Sequence, residues 1–197
     1  MSSTNRGATR IDQDAYYTPA SAIDPMLQLL DLSGVTSFVE PCLGGGAIFD
    51  RVDAPIKIWA EIAHGFDYFH MSGDVDLILT NPPFSLALEF LQKSLTEAKT
   101  VGYLLRLNFL GSRKRRDFWN ANKPTHCFVL SERPVFAWYC QSTKDRKSCK
   151  AAYRPGATSV CLDCGNPVRA QTDSIEYAWF FWDRLGIVKM NSPFHVL

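Results

Sequence analysis

The stretch Asp76 to Phe90, DLILTNPPFSLALEF, passes from an apolar strand into an amphipathic helix through Asn81, Pro82, Pro83 and Phe84. Each proline locks its own φ and keeps the residue before it out of the helical region, so the strand ends at Asn81 and the helix starts after Pro83. A strand-to-helix turn needs only one cap and one proline. Two prolines hold the backbone still, and a rigid backbone at the carboxyl end of a sheet strand is what a binding or reacting site requires.

The same alternation continues on either side. YYTPASAIDPMLQLLDL carries apolar residues at Ile23, Met26, Leu27, Leu29 and Leu30, which predicts a helix started near Asp24-Pro25. TSFVEPCLGGGAIFDRV reads as strand, glycine loop and helix, and IKIWAEI as a further buried strand. VGYLLRLNFL, HCFVLSE and IEYAWFFWDRL read as strands, with a basic helix beginning in GSRKRRDFWNAN. In AWFFW the aromatics are most simply core. This order predicts an α/β fold, a mainly parallel Rossmann-like sheet with helices on both faces. At 197 residues with 46% apolar content the chain suits one ordinary domain with room for a small second element. Residues 139–173, rich in Cys, Lys, Gly and Pro and without periodicity, form that element as an insertion. The main domain is then 1–138 together with 174–197.

The net charge of +1 conceals an uneven distribution. Residues 106–154 hold 12 Lys or Arg against three acids, a net +9, so the remainder is acidic. Such one-sidedness is the footprint of a polyanion partner or of a solvated basic loop. The opening residues are polar, and no apolar run approaches the roughly 20 residues of a membrane span, which predicts a cytoplasmic protein with no membrane partner. No obligate protein partner is evident.

In Glu40-Pro41-Cys42-Leu43-Gly44-Gly45-Gly46 the glycines let the backbone approach a nucleotide-like ligand, or simply close a tight turn. The acid at its start disfavours a phosphate there and favours a cationic or hydroxyl-bearing group. Glu61, at a strand end, stands where doubly wound sheets hold ribose hydroxyls, or it is a solvated carboxylate. Asp67 either accepts from a ligand's adenine amino group or starts a turn.

Asn81 and Phe84 suggest a more specific chemistry. The Asn81 side-chain oxygen and the Pro82 carbonyl can take both hydrogens of an exocyclic amino group, while an aromatic ring stacks on the base that bears it. An aryl amine is a weak nucleophile because its lone pair is delocalised. Two acceptors favour a pyramidal nitrogen with that pair free, so the contribution is orientation and electrostatics rather than proton abstraction.

Cys140, Cys149, Cys161 and Cys164 cluster in the insertion, the last two as a Cys-x-x-Cys knuckle. Four thiolates match a closed tetrahedral Zn2+ site. A redox pair and unrelated cysteines are the alternatives. Metal binding would contribute on the order of 10 kcal/mol toward ordering so short and polar a segment.

EPCLGGGAIF followed by LILTNPPF, with YYTP ahead of both, resembles the motif order of S-adenosylmethionine-dependent DNA N6-adenine methyltransferases. LLRLNFLGSRKRRDFW, VLSERPVF and YAWFFWDR resemble, more narrowly, the small Dam-like adenine methylases of phages and prophages. The resemblance implies that Tyr17, Thr18 and Pro19 lie against the methionine end of the cofactor. Glu40, Pro41, Gly44 and Gly46 would line its pocket, Glu61 hold the ribose and Asp67 the adenine. Asn81, Pro82, Pro83 and Phe84 would hold an adenine flipped from double-stranded DNA, and the zinc-ribbon-like insertion would help recognise the target. A role in restriction-modification, in a bacterium or a phage-infected host, is an expectation of the same kind. Only five residues separate Glu61 from Asp67, where the family fits a helix and a strand, so the sheet is trimmed there or Asp74 or Asp76 takes the role. The alternatives in function are the same chemistry on RNA or on a protein glutamine amide, and a catalytically silent DNA-binding protein.

Overall fold

A computed structural model describes residues 18–140, 168–171 and 175–197. Helix α1 (Ala20–Leu27) is followed by strands β1 (Ser37–Glu40), β2 (Ile56–Trp59) and β3 (Val75–Thr80). Helix α2 (Ala87–Glu97) leads directly into β4 (Ala98–Arg106), and α3 (Arg116–Ala121) precedes β5 (His126–Val129). A hairpin of β6 (Ala137–Cys140) and β7 (Val168–Gln171) comes next, then β8 (Tyr177–Asp183) and β9 (Phe194–Val196).

Seven strands form one sheet in the order β2-β1-β3-β4-β8-β5-β9, and β6 and β7 pair separately. β2, β1, β3 and β4 run parallel, as do β5 and β9, whereas β8 is antiparallel to both of its neighbours. Strand alternation divides the core in two. Leu77 and Leu79 of β3 face Ile23 and Met26 of α1 with Trp179 and Phe181 of β8, while Ile78 faces Phe90 and Leu91 of α2 with Phe180 and Trp182. The AWFFW aromatics are therefore core, and helices cover both faces.

Several elements depart from the sequence reading. α1 begins at Ala20, earlier than Asp24, and carries Pro25 inside it. Burial of Ala22, Ile23 and Met26 draws the first turn onto the sheet, and Trp179 Nε1 donates to the Ala22 carbonyl at 2.7 Å. No helix follows the glycine loop; the chain makes one 3-10 turn, Phe49–Arg51, before Pro55 carries it into β2. β2 itself is an edge strand and not a buried one, with Ile56 57% and Ile58 41% exposed.

The trimmed sheet explains that edge. Between Glu61 and Asp67 lie only a 3-10 turn, Ile62–His64, and an antiparallel bridge from Glu61 to Phe66, so among the described residues no strand forms beyond β2. Among the described residues no helix is long and apolar enough to cross a membrane.

Candidate active site

Because β1, β2, β3 and β4 are parallel, their carboxyl ends share one edge of the sheet. β2 lies to one side of β1 and β3 to the other, so the chain reverses its order of strands at β1. In open α/β sheets the crevice outside the strand ends at such a reversal is where ligands bind. Glu40 ends β1 and Asn81 follows β3 on the two sides of this crevice, which the 38↔77 and 39↔78 register of the two strands aligns.

Glu40 is 2% exposed and its Oε2 has no partner among the described residues. Burial pushes its pKa up to about 9; Asp50 and Glu61 add to the rise, while the Phe49 backbone N–H and Lys57 oppose it. The carboxyl is thus neutral at pH 7 and poised for a cation that would draw off its proton. The loop beyond Pro41, itself buried, depends on glycine: Gly44 and Gly46 hold φ of +52° and +75°, in the left-handed region. Cys42 lies in the same loop with a thiol pKa raised by burial, which leaves it an inert neutral group.

Glu61 fastens the loop from β2. Its Oε2 accepts from Gly44 N at 2.9 Å and its Oε1 from Ala63 N at 3.3 Å. Asp67 caps the 3-10 turn Tyr68–His70 by accepting from Phe69 N at 2.9 Å. Both acids thus have structural partners. Asp76 is removed from this edge, at the amino end of β3, where it accepts from Thr36 and Ser37 and pairs with Lys99 at 2.8 Å. These partners, Lys99 foremost, hold its carboxyl well below the usual range.

At the other wall, Asn81 Nδ2 donates to Thr18 Oγ1 at 3.0 Å. Thr18 is 7% exposed and precedes Pro19, the extended N-cap of α1, so the helix start buttresses Asn81. Using its amide nitrogen in this way leaves Asn81 Oδ1 as a buried acceptor with no donor among the described residues. Pro82 is buried, and Pro83 and Phe84 are half-buried. The Phe84 ring lies 5.8 Å from that of Tyr177, and the Arg106 guanidinium sits 4.4 Å over Phe84 while its Nε donates to Tyr177 Oη at 3.3 Å. Arg106 and Tyr177 were not among the residues the sequence pointed to; the one signal was a charge ending the apolar run VGYLLR.

The structure therefore brings Thr18, Pro19, Glu40, Pro41, Gly44, Gly46, Glu61 and Asn81 to Phe84 to one sheet edge, with Asp67 just past the end of β2. Tyr17, Cys149, Cys161 and Cys164 lie outside the described residues, and Cys140 ends β6. The described residues contain no cluster of three or more His, Cys, Asp or Glu placed to hold a metal.

No family model matches this sequence, and none of the curated proteins does. Solved structures do resemble it. One is a Pyrococcus horikoshii protein described provisionally as an RNA methyltransferase, with TM-score 0.53 and 12% identity over 89% of this chain and 91% of that one. Another is a Listeria monocytogenes protein described provisionally as a class I S-adenosylmethionine-dependent methyltransferase, with TM-score 0.50 and 10% identity over 95% of this chain and 68% of that one. The fold is accordingly the Rossmann-like fold of class I methyltransferases.

Proposed function

We propose that the protein transfers a methyl group from S-adenosylmethionine to the exocyclic amino group of adenine flipped out of double-stranded DNA. The observation that carries this reading is Asn81, tied to Thr18 through its nitrogen so that Oδ1 stays an acceptor, on a doubly proline-locked turn beside Phe84. A flat base bearing an amino group matches that pair of an acceptor and a ring.

The residues present fit the cofactor. Glu40 offers a buried carboxyl oxygen with no partner among the described residues for a cationic group, and Gly44 and Gly46 keep side chains out of the loop above it. When bound there, S-adenosylmethionine supplies an electrophilic methyl group. Asn81 Oδ1 and the Pro82 carbonyl orient the amine, and stacking of the base on Phe84, which requires the Arg106 guanidinium now over that ring to shift, offsets part of the few kcal/mol needed to extrude it. Glu61 has both oxygens engaged by backbone N–H groups in this structure, so its ribose role requires it to give up or share one of them. The same site would accept an RNA base, and the description of the Pyrococcus protein favours that second reading. The net +9 of residues 106–154 suits either nucleic acid.

Asn81→Ala tests the assignment. The expected result is loss of methyl transfer with S-adenosylmethionine affinity held within a few-fold; loss of both would make Asn81 a folding or cofactor residue.

A further inference from the structure

Beyond β4 the chain turns past Leu110 and Ser112 into Arg113 and α3. Against the far end of that helix, at Lys123 and Pro124, these residues enclose an open cavity of about 520 Å³. Arg113, Arg116 and Lys123 line it with Trp119, and among the described residues no acid does. Arg116 has Asp117 at 3.6 Å, but both side chains are largely in water, where such a pair is screened and leaves the guanidinium available.

The four-residue basic run divides by role. Arg115 folds inward: its Nε donates to the Phe109 carbonyl at 2.8 Å and its guanidinium covers the Phe109 ring at 4.2 Å, with desolvation lowering its pKa. It is a brace and does not line the cavity. Trp119 does, and it is immobilised there. Its Nε1 donates to the Phe109 carbonyl at 3.4 Å, its ring stacks on Trp182 at 6.0 Å, and Phe109 and Phe118 meet it edge-on. Cations around a fixed indole suit a strand of nucleic acid, with phosphates neutralised by the charges and a base or sugar against the ring.

The cavity adjoins the site along the chain. Arg106, over Phe84, is seven residues before Arg113, the first of the three cations along the chain, and seven residues span at most about 25 Å. That reach covers about seven nucleotides of one B-form strand at about 3.4 Å each.

Resting on the DNA reading above, we propose that this cavity binds the sugar-phosphate backbone of DNA within about seven nucleotides of the target adenine. The test combines the triple variant Arg113→Gln, Arg116→Gln, Lys123→Gln with duplexes in which single phosphates near the target are replaced by neutral methylphosphonates. The variant is expected to bind duplex more weakly, and its dependence of log K on log salt should flatten by about 0.9 for each phosphate it no longer neutralises, up to about 2.7. Methylphosphonates within about seven nucleotides should weaken the native protein and not the variant, while S-adenosylmethionine binding stays intact in both. Arg115→Gln serves as the contrast, lowering the melting temperature without changing the salt slope. An unchanged slope in the triple variant, or equal methylphosphonate losses in both proteins, overturns the proposal while leaving DNA methylation standing. A native protein that binds RNA and not duplex DNA overturns both.

Discussion

Glu40 shows how one side chain links fold and pH. In the unfolded chain its carboxyl titrates near 4.5, and in the folded protein near 9, chiefly because it is buried. Between those values the native state holds a proton that the unfolded state has lost, so stability falls as pH rises through this window. Melting temperature measured from pH 5 to 9 should therefore decline for the native protein and decline less for Glu40→Gln. In the proposed complex a cationic group would meet this carboxyl and expel the proton. Calorimetry at pH 7 in buffers of different ionisation enthalpy is expected to show proton release on cofactor binding that Glu40→Gln abolishes. Other residues of the site were legible only as types at positions. Asn81 and Phe84 stood out because two prolines pin them at a strand end, whereas the Asn81 bond to Thr18 spans 63 residues and left no local trace. The Arg106 bond to Tyr177, 71 residues apart, was equally invisible.

At the scale of elements, periodicity located the long strands and α2 because each buries an apolar face. It failed where length was too short for a helix, after the glycine loop, and where burial could not be inferred, at β2. A run such as IKIW reads the same on an edge as in the middle; only the missing strand beyond it decides. Short β9 and the β6-β7 hairpin gave no periodic signal either. The packing among strands makes two expectations concrete. Gly102 in β4 leaves no space for a side chain, since a Cβ there would lie 2.4 Å from Leu79 Cδ2 and 2.6 Å from Phe181 Cε1. Gly102→Ala should lower stability by about 1–3 kcal/mol through overpacking, visible as a lower denaturation midpoint. Asp76, with its folded pKa depressed by Lys99, Thr36 and Ser37, contributes stability above its unfolded pKa near 3.8 that is lost as pH falls below it. Asp76→Asn should consequently destabilise the protein at pH 7 and make less difference at pH 2–3, by thermal melting at each pH.

At the scale of the molecule, one sheet edge gathers the glycine loop, the Asn81 turn, Arg106 and the start of the basic segment. The β5–β8 connection returns to the same edge, where Leu130 N donates to the Tyr177 carbonyl at 2.9 Å, the Phe136 ring lies 5.0 Å from Tyr177, and Arg133 pairs with Glu176 at 2.6 Å. The hairpin whose strands flank the cysteine-rich residues 141–167 departs from that connection, so sequence charge asymmetry and topology point the same way. If Cys140, Cys149, Cys161 and Cys164 hold a structural zinc, metal analysis will return about one zinc per chain, and a chelator strong enough to remove it will lower the melting temperature. A fully folded, metal-free protein would speak against the four-thiolate site. The central claim is the reaction itself, and incubation with S-adenosylmethionine and unmethylated genomic DNA, followed by nucleoside mass spectrometry, addresses it most directly. The expected product is 6-methyladenine at a defined sequence, dependent on Asn81; unmodified DNA from a protein that binds the cofactor would contradict the claim.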